Sequence, residues 1–67
     1  MTIDDLRAAA KNVTPSSNVS LVTLSPPVQA MYGKSILQID MLDIDDFMAR
    51  NMDTRRWFKV SDLRPVS

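Results

Sequence analysis

Asp43-Ile44-Asp45-Asp46-Phe47-Met48-Ala49-Arg50-Asn51-Met52 is the stretch on which the fold reading turns. Ile44, Phe47, Met48 and Met52 recur at i, i+3, i+4 and i+8, the spacing that lines one face of a helix. Asp43 stands where an N-cap belongs, Asp46 falls at N3, and Asn51 and Asp53 close the run. The pattern predicts an amphipathic helix that packs through Ile44, Phe47 and Met48.

The segments on either side are read around that helix. Ser35-Ile36-Leu37-Gln38-Ile39-Asp40-Met41-Leu42 alternates as a strand, with Leu37, Ile39 and Met41 on one face and Ile36, Gln38, Asp40 and Leu42 on the other. Ser25-Pro26-Pro27 reads as the cap and first turn of a short helix through Val28-Gln29-Ala30-Met31-Tyr32. Proline is tolerated there because its missing N–H would be unpaired anyway. Gly33, the only glycine, follows at the C′ position. The two prolines lack PxxP spacing, so a proline-rich docking motif is not indicated.

Farther upstream, Val19-Ser20-Leu21-Val22-Thr23-Leu24 reads as a strand after the turn-forming run Thr14-Pro15-Ser16-Ser17-Asn18. Thr2 caps a first helix, with Asp5 completing a capping box and Ile3, Leu6 and Ala10 on one face. Its stop is Asn12. Downstream, Arg55-Arg56-Trp57-Phe58-Lys59-Val60 is a short strand and Ser61-Asp62-Leu63-Arg64 one helical turn. The expected fold class is α+β. We expect a single small domain, residues 1–64, with three short strands in a mostly antiparallel sheet, two to three short helices on one face, and a frayed tail at 65–67.

Composition narrows function by subtraction. Among 67 residues there is no His, no Cys and no Glu, and all eight acids are Asp. The usual general base, the nucleophilic thiol, most transition-metal ligand sets and every glycine-rich phosphate loop are therefore missing. Lys34-Ser35 and Lys59-Val60-Ser61 offer only Lys as a base for serine, without SxxK spacing. No catalytic residue, cofactor or metal is expected, and the chain is read as a non-enzyme.

Size sets a further bound. A chain this short buries about 60% of the surface its unfolded state exposes, and its core rarely supplies more than about 3–5 kcal/mol. With 45% apolar residues it can fold. With no disulfide available, a second copy or another partner is the remaining source of stability. A homodimer is expected, paired through the uncharged edge of residues 19–24. Met31, Met41, Met48 and Met52 are read as core filling more readily than as an adaptable surface. Residues 1–6 carry neither a basic n-region nor an apolar run, so no secretory leader is expected. The Asn12-Val13-Thr14 and Asn18-Val19-Ser20 acceptor patterns are accordingly read as chance, and a cytoplasmic location as the expectation. No stretch is long and apolar enough for a membrane.

Net charge is zero with a pI near 6.0, which argues against generic polyanion binding. The zero is a cancellation. Residues 34–48 carry Lys34 against Asp40, Asp43, Asp45 and Asp46. Residues 49–67 carry Arg50, Arg55, Arg56, Lys59 and Arg64 against Asp53 and Asp62. The acidic patch Asp40, Asp43, Asp45 and Asp46 lacks the alternation, the turn glycine and the distal Glu of a calcium loop. Asp43, Asp45 and Asp46 also have a structural use as helix cap and first turn. Glycoside hydrolysis would need a cleft this chain can hardly build beside its core.

The basic segment is the expected partner surface: Arg55, Arg56, Trp57, Lys59 and Arg64. If Phe58 and Val60 face the core, alternation sends Trp57 and Lys59 outward. Trp between arginines is a composition common at interface hot spots. The plainer reading is an edge strand guarded by cations.

Arg55-Arg56-Trp57 followed by Ser61-Asp62-Leu63 resembles the wing end of excisionase-type winged-helix proteins, over nine residues. The resemblance implies a nucleic-acid-binding regulator. The recognition helix expected upstream is not matched, since 34–42 reads as a strand, and no glycine immediately precedes the basic stretch. The favoured expectation is a small protein–protein interaction module: a regulator, adaptor or inhibitor of a larger protein. Nucleic-acid binding is the alternative.

Overall fold

Helix α1 (Ile3–Ala9) starts where its cap residues place it. The Thr2 hydroxyl accepts from the Asp5 N–H at 3.1 Å, and the Thr2 N–H donates to the Asp5 carboxylate at 2.9 Å. This reciprocal box satisfies two donors that the helix itself cannot. The Thr2 N–H, then its side chain, hold the Asp5 carboxyl below the usual carboxylate range. With seven residues α1 is too short to persist alone. It is held by Ile3 and Leu6, both buried against the sheet.

The remainder is one antiparallel sheet. The computed structural model describes residues 1–16 and 20–66. Its strands are β1 (Asn12–Pro15), β2 (Leu21–Tyr32), β3 (Ser35–Asp43), β4 (Met48–Asn51), β5 (Trp57–Lys59) and β6 (Arg64–Pro65), with a 3-10 turn at Val60–Asp62. The order is β1-β2-β3-β4-β5, and β6 pairs with β2. β3 runs along one edge of β2. β1 takes residues 22–25 of the other edge and β6 takes Ala30 and Met31.

This connectivity forces the sheet to curl. In a flat sheet β5 and β6 would stand four strand spacings apart, about 19 Å. The chain from Lys59 to Arg64 passes through the 3-10 turn and spans only about 13 Å. The sheet must wrap inward. Val60 and Leu63, carried on that connection, are buried inside with Leu6, Leu24, Ile39 and Leu42.

Two irregularities let long strands serve this curved core. Between Thr23↔Met41 and Val28↔Ile39, β2 places residues 24–27 opposite Asp40 alone. Pro26 and Pro27 fall in that interruption, where neither is asked for a ladder donor. The Ser25–Pro26 bond is cis. Between Ile39↔Asn51 and Met41↔Arg50, β3 spends one extra residue. That bulge inverts the alternation, so Leu37 and Ile39 before it and Leu42 after it all point inward.

The α+β expectation is overturned. Among the described residues there are six strands, one α-helix and one 3-10 turn, not two to three helices over three strands. The helix expected after Ser25 is the second half of β2, with Val28 and Ala30 buried at strand period. Gly33 has φ +60, and with Lys34 it makes the two-residue link of the β2–β3 hairpin, where Tyr32 pairs Ser35. A positive φ at the first loop position belongs to a type II′ turn, so the same glycine ends a strand as readily as a helix.

The helix expected over 43–52 is a hairpin. Asp43 pairs Met48, residues 44–47 form the link, and β4 follows. Asp43 does cap, since its Oδ1 accepts from the Asp46 N–H at 3.2 Å, but it caps a turn. Phe47 does not enter the core. It is 65% exposed with φ 55. Met41 is only half-buried, and its expected place beside Leu37 and Ile39 is taken by Leu42. The edge of 19–24 expected to pair with a second copy is occupied by β1 from Val22 onward, and Val19 lies outside the described residues.

A left-handed conformation costs a non-glycine residue about 1–2 kcal/mol, and Asn tolerates it best. Phe47→Asn is therefore expected to leave stability within about 0.5 kcal/mol of the parent, or to raise it by up to about 1 kcal/mol. Urea melts check this. A loss above about 2 kcal/mol would return the ring to the core.

Candidate functional site

The basic segment is presented by a loop braced from beneath. Arg50 pairs Trp57, and residues 52–56 link β4 to β5. Asn51, the one buried polar residue of the described chain, organises that link. Its side-chain oxygen accepts from the Asp53 N–H at 3.3 Å, and its amide donates to Thr54 Oγ1 at 3.3 Å. Its backbone accepts from the Arg55 N–H at 2.7 Å and donates to the Arg56 carbonyl at 2.9 Å. Arg55 is left-handed at φ 59, which turns the chain back into β5. The result is a tight loop with Arg55 and Arg56 exposed at its end.

Trp57 stands at the base of this loop, 38% exposed. Ala49 and Phe58 pair across the ladder and face the core, so the next pair, Arg50 and Trp57, shares the outer face. Phe58 packs inward, its ring 4.8 Å from that of Tyr32. On the outer face Arg50 is clamped to Asp40: Nε donates to Oδ1 at 3.1 Å and Nη2 to Oδ2 at 2.8 Å. The Asp40 hydrogen bond raises the Arg50 guanidinium above its ordinary pKa. The pair is a quarter exposed and adds at most about 1 kcal/mol, but it fixes the surface beside the Trp57 ring.

The residues expected to share the site do not all meet. Arg55, Arg56 and Trp57 are contiguous at one end of the β4–β5 hairpin. Lys59 lies opposite Met48, two residues along β5. Arg64 belongs to a different strand pair, opposite Met31 in β2. The acidic patch divides too. Asp40 is spent on Arg50, while Asp43, Asp45 and Asp46 sit at the β3–β4 link, at the far end of β4 from the basic loop. Among the described residues no three carboxylates come together as a cation site.

A second feature was not foreseen from the sequence. An apolar groove of about 440 Å³ runs between the start of α1, the β3–β4 link and the 3-10 turn. Met1, Ile3, Ile44, Phe47 and Val60 line it, together with the charged Asp4 and Arg7. The Val60 N–H donates to the Phe47 carbonyl at 3.0 Å and so ties two walls together. Its lining comes from three separate segments, and only the tertiary fold assembles it. The exposed Phe47 was the one available signal, masked by its fit to a helical stripe.

Among the described residues no helix is long and apolar enough to cross a membrane. The nine-residue likeness to winged-helix proteins finds no recognition helix in the fold, since Ser61 and Asp62 lie on the 3-10 turn, Lys34 is in a turn and 35–42 is sheet. Compared with protein-family models, curated proteins and solved structures, the chain matches none.

Proposed function

We propose that this chain is a small non-enzymatic binding module that contacts a larger protein as a regulator, adaptor or inhibitor. The observation that carries the reading is Trp57, set on the outer face of a paired strand and preceded by Arg55 and Arg56 at the end of a braced loop. A large aromatic ring left partly in water gains little for a free monomer, whereas at an interface such a ring is among the commonest anchors. Its partner surface would be apolar at the centre and acidic at the rim.

The test begins with affinity capture from the native host and continues with the captured protein in purified form. Trp57→Ala is expected to weaken binding to that purified partner by about 2 kcal/mol or more, about 30-fold, with the melting curve unchanged. An unchanged affinity would remove Trp57 from the interface. The same preparation is titrated with duplex DNA at rising salt. Tight binding that falls steeply with salt and is lost in Arg55→Ala with Arg56→Ala would replace this reading with the nucleic-acid one.

A further inference from the structure

We infer that the apolar groove is the receptor for the Arg55-Arg56-Trp57 loop of a second copy of this chain, so that copies associate head to tail. The inference rests on the reading of Trp57 as an anchor and names a partner for it. Each half of the contact is already present. The receptor is a groove of about 440 Å³ with apolar walls, a size ordinary for sites that take one large side chain or a small ligand. Carboxylates stand on it and beside it: Asp4 lines the α1 side, and Asp45 and Asp46 are exposed on the link that also carries the lining residues Ile44 and Phe47. Arg7 also lines it, as does Met1, whose terminal ammonium is engaged by the Leu63 carbonyl at 3.0 Å. The occupant is complementary, one indole preceded by two exposed guanidinium groups.

The loop cannot fill its own groove. The Val60 N–H bond to the Phe47 carbonyl lies just past the Met48↔Lys59 pair, at the link end of β4, whereas Trp57 lies toward the other end of β4 and on the outer face. The two surfaces are therefore distinct, and the contact is heterologous. Such a contact leaves one groove and one loop free in every dimer, so growth continues with concentration unless a ring closes. A single inserted loop buries less than a stable interface needs, which places the association in the weak class.

Sedimentation equilibrium on the full chain, from about 10 µM to about 1 mM, tests this. The weight-average mass is expected to rise past twice 7.5 kDa. The emission of Trp57, the only tryptophan, is expected to move to the blue as it rises. Trp57→Ala keeps the groove and loses the loop. Asp45→Lys with Asp46→Lys, both exposed, keeps the loop and reverses the charge beside the groove, and Phe47→Asn removes one apolar wall. Each variant alone is expected to stay monomeric. Trp57→Ala mixed with Asp45→Lys/Asp46→Lys is expected to restore a dimer and nothing larger, because one good groove then meets one good loop.

A parent chain that remains monomeric throughout overturns the inference. So do single variants that still dimerise, or a mixture that fails to restore the dimer, the result expected if Trp57 packs on Trp57 across a two-fold axis. A monomeric parent whose purified host partner is lost with Trp57→Ala would sink this inference alone. Head-to-tail association with no host partner would sink the regulator reading alone.

Discussion

Leu42→Ala is expected to abolish the cooperative melting transition of this chain. Leu42 is fully buried and sits in the middle of a row that crosses the sheet, Val22↔Leu42↔Ala49↔Phe58. Removing a buried leucine to Ala costs about 2–5 kcal/mol, transfer and cavity terms together. A domain this small holds about 3–5 kcal/mol in all. Ala49 already lies on one side, so no large neighbour can relax into the space. Met41→Ala, one residue earlier and only half-buried, serves as the control and is expected to cost clearly less. Circular dichroism melts of both variants decide it. If Leu42→Ala melts within a few degrees of the parent, the bulge at Asp40 is misplaced and Leu42 faces outward.

Leu6→Ala is the second large effect, about 2–5 kcal/mol by the same mechanism. Leu6 and Ile3 are the only α1 residues in the buried core, and they lie over β2. A helix of seven residues has no stability of its own to fall back on, so loss of that contact frees the whole element. The expected signature is a fall in urea midpoint together with loss of amide protection at Leu6 and Ala10, whose N–H groups donate to Thr2 and Leu6 carbonyls. A variant that keeps this protection and its midpoint would show that the sheet stands without its helix.

Where local chemistry decides structure, the sequence was legible. Thr2 and Asp5 announced α1, and Ser35 to Leu42 announced β3. The failures share one cause. Asp43 offers the same oxygen to an N–H three residues on whether a helix or a turn follows. Gly33 supplies the same positive φ to a helix end and to a hairpin. Ile44, Phe47 and Met48 fit i, i+3, i+4 and equally fit a four-residue link followed by a strand. Only the partners separate these cases, and partners distant in sequence leave no mark on a local period. Of the candidate site, the outward Trp57 was legible because alternation is a property of one strand. The split of Asp40 from the acidic patch was not, because it depends on Arg50 across the ladder.

The interruption at Pro26-Pro27 also bears on how this protein tolerates concentration and heat. β2 is twelve residues long without a charged side chain, and its two ends are rich in β-formers. Fibril-forming segments need about six or seven such residues in a row with no proline. In the unfolded chain the pair of prolines divides the uncharged run 16–33 into 16–25 and 28–33, so the two apolar ends of β2 cannot join in one continuous segment. The same two residues that let the strand bend around its core thus act as gatekeepers of the unfolded chain. Replacing both would be felt first in the lifetime of a concentrated solution, as thioflavin-positive fibrils, and only later in the folded state.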